Sequence, residues 1–240
     1  MMLDDVSTLF AQLPRSASRD QYIAEVLEQN CLGKPTRKAR ELAYRHVAAL
    51  YGLDTRFALF RALRGLWAGD EAARPVLALT AALARDPLLR GSRSCIFHKP
   101  LGQEVSREEM EEVLEAGNPG RFSPVSLRSF AQNVNGTWTQ AGYLRGHRRK
   151  IRVKPVVTPA NVAFCLFLGY LEGATGQQMF SSNWIKLLGI DALEADALAR
   201  GAAHRGLLVF MSAGGVKEVR FPDYLTADEE RIRQEAAHVV

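Results

Sequence analysis

The sequence predicts a mainly α-helical protein carrying small β-hairpins. Three observations lead there. The first hundred residues hold a series of apolar stretches with helical spacing, each opened by a capping residue or a proline. Between residues 123 and 154, one long apolar stripe of helical period gives way to a short strip of strand period. A second helix followed by two strand-like runs closes the chain, with the turn Ala213-Gly214-Gly215 between the runs.

Ser18 is placed to cap a helix from Arg19 to about Gln29, with Tyr22, Ile23, Val26 and Leu27 on one face. Gly33 and Pro35 punctuate. Thr36 then caps a helix to Leu50, in which Ala39, Leu42, Ala43, Val47 and Leu50 are spaced for burial and Arg37, Lys38, Arg40 and Arg45 lie opposite. Asp54 is the expected cap of Arg56–Trp67, and Pro75 suits the start of a helix to Ala84. Pro87 and the Gly91–Ser94 stretch are expected to end this region, with Ile96-Phe97 as a short strand.

Ser106 with Glu109 forms a capping box for Arg107–Ala116. After the turn Asn118-Pro119-Gly120, Ser123-Pro124 opens a helix towards Ala141. Its residues Leu127, Phe130, Val134, Trp138 and Ala141 make one stripe, while Gly136 weakens it. Beyond Gly142, Ile151 and Val153 alternate with Arg152 and Lys154, which is strand periodicity. Helix, turn, helix and β-wing in this order outline a winged helix-turn-helix. Thr158-Pro159 opens a helix to Glu172 that is apolar nearly all round and so is expected in a core. A short helix near Trp184–Leu188 follows, then one capped by Asp191 and running to His204, then the C-terminal hairpin, a second winged-helix-like unit. The expected division is therefore residues 1–95 helical, 96–157 winged helix-turn-helix, and 158–240 helical with a hairpin.

Hydrophobic residues make up 47% and charged residues 24%, the balance of a globular chain and not of a disordered one. The longest apolar run, Ala163–Leu171, is too short to span a bilayer, and the acidic start MMLDDVSTLF lacks the basic region of a secretory signal. Cys31, Cys95 and Cys165 are isolated and odd in number, which fits a reducing cytoplasm.

Charge is distributed unevenly. The net charge is +5, yet from Ala116 to Leu171 there is no Asp or Glu, and eight Lys or Arg residues give that window +8. The other 23 basic residues face 26 acidic ones, so the rest of the chain is −3. A localised basic field is the footprint of a polyanionic partner. Arg145, Arg148, Arg149, Lys150, Arg152 and Lys154 are the candidate phosphate contacts. On the helix before them, Arg128, Gln132, Asn133 and Gln140 form the candidate groove face, since Gln and Asn pair with adenine edges and Arg with guanine. Arg37 and Lys38 are secondary phosphate candidates. The alternative is an adaptor that docks partner proteins of the same system through the same strip.

Other chemistries find little support. GKPTRKAR (Gly33–Arg40) is not a P-loop, because Glu28 stands where the first glycine belongs and Pro35 interrupts Gly-Lys-Thr. His46, His98, His147, His204 and His238 lack ligand spacing, and no serine has a nucleophile-elbow context. No catalytic residue, metal or cofactor is expected.

The segments NCLGKPTRKAR (Asn30–Arg40), ALARDPLLR (Ala82–Arg90) and FSPVSLRSFAQNVNGTWTQAGYLRG (Phe122–Gly146) resemble BrxA-like proteins of the bacterial BREX phage-exclusion systems. Asn30, Leu32, Lys34 and Thr36 match the first of the family's motifs. The resemblance implies a NusB-like helical region joined to winged-helix parts, and a cytoplasmic, non-enzymatic accessory protein that binds double-stranded DNA alongside other phage-defence proteins.

Overall fold

The computed structural model describes residues 1–222 and 224–237; His238 lies outside them. The chain opens with α1 (Leu3–Gln12), α2 (Arg19–Leu27), α3 (Arg37–Tyr51), α4 (Ala58–Trp67) and α5 (Arg74–Arg85). Then come α6 (Pro87–Gly91), α7 (Arg93–Phe97), α8 (Arg107–Gly117), α9 (Pro124–Gln140), β1 (Leu144–Arg145) and β2 (Ile151–Arg152). The remainder is α10 (Pro159–Leu171), α11 (Gln177–Phe180), α12 (Asn183–Leu187), α13 (Ala192–His204), β3 (Val209–Ala213), β4 (Val216–Arg220) and α14 (Ala227–Ala237). The protein is mainly helical, with two small antiparallel hairpins, β1–β2 and β3–β4.

Contacts divide the chain into two compact units. One joins Met1–Leu53 to Ala78–Val156; the other joins Asp54–Leu77 to Val157–Val240. The reason is the apolar helix α10. Ala160 through Gly169 are all buried, so α10 must be covered on every side, and α4 from the first third of the chain packs on it with α11, α12 and α13.

In the first unit, local caps set the helix ends. The Ser18 hydroxyl accepts from the Gln21 amide while the Gln21 side chain takes the Ser18 N–H, a complete capping box. Thr36 caps α3 by accepting from the Ala39 amide. Val6, Leu9 and Phe10 of α1 bury against α2, and the Phe10 and Tyr22 rings meet edge to face at 6.4 Å. Asn30 adopts positive φ and its side chain accepts the Lys34 amide at 2.9 Å, so the loop into α3 is a built turn. Leu42 departs from expectation: it is 46% exposed, on the outer face of α3.

Ile96-Phe97 is helical, at the end of α7, and not a strand. Pro87 starts a helix instead of stopping one. It sits in the first turn of α6, where its missing N–H costs nothing, and the Asp86 carboxylate caps the Leu88 and Leu89 amides. Asp54 does not cap α4; it accepts the Arg56 amide and pairs with its guanidinium, and α4 begins at Ala58.

Helices α6 and α7 pack on α8, and α8 packs on α9. The buried Trp138 of α9 donates its indole N–H to the Ser92 hydroxyl at 2.8 Å, and Ser92, fully buried, donates onward to the Leu89 carbonyl at 2.6 Å. Phe97 and Tyr143 close edge to face on the same indole, at 6.1 and 5.1 Å. Gly136 does not interrupt α9, which runs unbroken for 17 residues.

In the second unit, the outer ends are tied by polar contacts. Asn161 donates to the Ala73 carbonyl at 2.9 Å, Arg61 pairs with Glu229, and Lys217 meets Asp196 at 2.5 Å while lying over the Phe180 ring. Phe167, Phe221 and Tyr224 pack together, the Phe167 ring 5.2 Å from Phe221 and 4.9 Å from Tyr224.

Trp138→Phe removes the indole donor and part of the buried volume. The expected loss is about 1–3 kcal/mol of unfolding free energy, read as a lower urea midpoint. An unshifted midpoint contradicts the role given to this bond.

Candidate nucleic-acid interface

The hairpin after α9 is where most basic residues of the acid-free window from Ala116 to Leu171 gather. Leu144 pairs with Arg152 and Arg145 with Ile151. Strand β2 is also covered on its other edge. Glu104 bridges Ile151, the Arg152 amide donates to the Gln103 carbonyl at 2.8 Å, and the Val105 amide donates to the Lys150 carbonyl at 2.8 Å. A third short strand-like segment therefore flanks β2. The tip, residues 146–150, turns at Gly146, whose φ of +112° and closeness to the Arg149 carbonyl leave no room for a side chain.

Arg145, Arg148, Arg149 and Lys154 are exposed and Lys150 is partly so. Arg145 and Arg148 make no ion pair among the described residues. Lys150 donates to the Gly146 carbonyl at 2.8 Å, which braces the turn and keeps the charge. Arg149 pairs with Glu104 at 2.7 Å, and this hydrogen-bonded carboxylate holds its guanidinium pKa above the ordinary value.

Arg152 is a correction. Its residue is 6% exposed, its guanidinium donates to the Tyr143 carbonyl at 3.2 Å and to the Val153 carbonyl, and it lies over the Phe97 and Tyr143 rings at 5.1 and 5.3 Å. Burial lowers its pKa from the usual arginine value. It belongs to the aromatic cluster under the hairpin and not to the cationic surface.

Along α9, Val125, Ser126, Arg128, Ser129, Gln132, Asn133 and Gln140 are exposed, whereas Thr137 is buried. Arg128 acts on Glu108 of α8: together with Arg107, its charge helps hold the Glu108 carboxyl below the ordinary glutamate range, after the stronger effect of a backbone hydrogen bond. Gln132, Asn133 and Gln140 line one cleft of about 660 Å³, whose wall also includes His46, Ala49 and Leu50 of α3 and Phe130. The three amides and the His46 imidazole hold no hydrogen bond to any described residue. Asp86 also lines this cleft, with its carboxylate oxygen engaged by the α6 amides.

The candidate residues thus separate. The cations occupy the hairpin tip, three of the four groove candidates share a cleft with α3, and Arg128 stands beside α8. Arg37 pairs with Glu41 at 3.1 Å on the exposed surface, and Lys38 is exposed. His46 is the functional candidate that sequence reasoning passed over, because only metal-ligand spacing was sought. By the helical period His46 falls four residues from both Leu42 and Leu50, on the side expected to be buried, so its spacing gave no signal. Among the described residues no cluster of three His, Cys, Asp or Glu side chains lies together as a metal would need. No helix among them is long and apolar enough to cross a membrane.

No family model, curated protein or solved structure matches the chain.

Arg152→Ala is expected to cost about 1–3 kcal/mol by removing the guanidinium's bonds to the Tyr143 and Val153 carbonyls. Arg148→Ala, by contrast, should change stability by no more than about 0.5 kcal/mol. Thermal unfolding of the two variants distinguishes the buried role from the exposed one.

Proposed function

We propose that the protein is a non-enzymatic, cytoplasmic accessory factor of a phage-exclusion system of the BREX kind, and that it binds double-stranded DNA. One observation carries this reading: a hairpin on which Arg145 and Arg148 make no ion pair among the described residues, with Lys150 beside them and no carboxylate in the sequence from Ala116 to Leu171. A rigid turn that presents several cations together is suited to phosphates on a polyanion.

The arrangement supports a winged helix-turn-helix. In that reading α8 and α9 are the two helices, residues 146–150 are the wing, and residues 102–105 are the strand on the far side of β2. The N-terminal half of α9, with Arg128, Gln132 and Asn133 exposed, is then the part that approaches the major groove. Helices α1–α3 stand for the NusB-like region that the BrxA-like resemblance implies. Helix α13 followed by β3–β4 stands for the second winged-helix-like unit.

A second reading, docking to other phage-defence proteins, is favoured by the β3–β4 hairpin, on which Val209, Met211 and Val216 are exposed. Co-purification that survives nuclease treatment supports it.

Mobility-shift titrations across salt test the first reading. Contacts from Arg145, Arg148, Lys150 and Lys154 give a slope of roughly −3 to −4 in log K against log salt. Arg148→Glu with Lys150→Glu should weaken binding to all sequences alike, and unchanged binding overturns the placement. Glu104→Gln releases Arg149, so it should tighten binding and steepen the slope by about one.

A further inference from the structure

The cleft between α3 and α9 has a composition unlike the hairpin. Gln132, Asn133 and Gln140 offer three primary amides, and His46 adds an imidazole. None is engaged by the protein among the described residues. One oxygen of the Asp86 carboxylate on its wall is engaged in capping α6. Phe130 supplies an aromatic ring, which also stacks against Phe122 at 5.6 Å with 16° between the planes. The Met1 ammonium, which also lines the cleft, donates to the Thr137 hydroxyl at 2.8 Å; the remaining amides, imidazole and aromatic wall suit a flat, neutral heterocycle that carries donors and acceptors on its edge. Its volume of about 660 Å³ is that of a small-molecule site.

We propose that this cleft binds a nucleobase of the adenine type. Adenine presents a donor and an acceptor side by side on one edge, the pair that a Gln or Asn amide matches with two hydrogen bonds. Its π-face packs on Phe130 or on the His46 imidazole, as unpaired bases do in protein sites. The base reaches the cleft from one of two sources. It is held in a nucleic-acid strand, unstacked from a duplex that the hairpin grips, or it arrives as a free nucleoside. The first source rests on the DNA-binding reading above; the second does not.

Gly136 makes the site testable. It lines the cleft within α9, has ordinary helical φ, and a side chain built there meets nothing within 4 Å. Gly136→Leu therefore fills the cleft while replacing a poor helix former with a good one, so the variant should fold. Circular dichroism and thermal unfolding verify that.

Two measurements on the full chain decide the matter. Calorimetric titration with adenosine tests the free source. Competition between a perfect duplex and the same duplex with one bulged adenine, with a bulged abasic linker as control, tests the strand-held source. The expected result is adenosine binding, or a preference for the adenine bulge of about 5- to 150-fold, the discrimination of one bidentate amide–adenine pair. Gly136→Leu should abolish whichever is seen, and Gln132→Ala with Asn133→Ala should reduce it. Arg148→Glu with Lys150→Glu should weaken perfect and bulged duplexes by the same factor and leave adenosine binding as it was. Neither adenosine binding nor a bulge preference overturns the proposal, as does an effect that survives Gly136→Leu. Loss of all duplex binding with adenosine binding retained overturns the DNA reading alone. Equal binding of perfect, bulged and abasic duplexes without adenosine binding leaves that reading standing and removes this one.

Discussion

The hydrogen bond from the Trp138 indole to the buried Ser92 hydroxyl, with the rings gathered around it, is the constraint on which the first unit depends. Trp138 lies in the last two turns of α9, and Ser92 joins α6 to α7. The bond therefore fixes α9 against helices that are distant in sequence. Phe97 and Tyr143 pack on the same indole, and the Arg152 guanidinium lies over both of those rings. Tyr143 precedes β1 and Arg152 ends β2, so the base of the hairpin is anchored to the same cluster. An apolar stripe alone leaves a helix free to slide; a buried donor with one acceptor gives it a rotation and a height.

The treatment of Arg152 shows why a charge run is an incomplete guide. Alternation put Ile151 and Val153 on one side and Arg152 and Lys154 on the other, as in a two-stranded wing with one dry face. Two features break that assumption. Residues 102–105 pair with the free edge of β2, which makes it a central strand, and α7 brings Phe97 over the face that Arg152 occupies. Burial of the guanidinium is tolerated because two carbonyls and two aromatic faces receive it. Lys154, two residues on, stays exposed.

What the sequence made legible was local. Ser18, Thr36, Ser106, Ser123 and Asp191 each cap the helix expected of them, since a cap needs only a side-chain oxygen and an amide about three residues away. The all-round apolar character of α10 likewise announced its burial. Misreadings arose where one residue type serves two ends of a helix: Pro87 opens α6, and Asp54 closes a turn with Arg56. Helix α1 passed unread although Val6, Leu9 and Phe10 carry its period. The Asn30 to Thr36 motif that underlies the family resemblance is explained by structure: a left-handed turn, a lysine paired with Asp5 at 2.9 Å, and a cap. The cleft was beyond reach, because it exists only once α3 lies beside α9, and neither sequence segment signals the other.

The electrostatics of the first unit follow from how its acids are placed. Helix α8 is rich in glutamate, yet Glu108 and Glu111 are held by Arg107, and Glu109 by Lys99 and the Ser106 amide. Those hydrogen bonds hold the Glu109 carboxyl below the usual glutamate range. An acid already matched by its own neighbour contributes little field at a distance, because the paired charges act as a dipole. Among the described residues the hairpin tip has one such match, Arg149 with Glu104, for several cations. The separation of roles follows from solvation. Cations that stay in water keep their charge at little cost and attract phosphate over about a Debye length. The amides of the α9 cleft are neutral, so they act only at contact, on groups that present matching donors and acceptors. Charges whose field reaches into solvent and neutral groups that act only at contact thus sit on adjoining elements, α9 and the strand that leaves it.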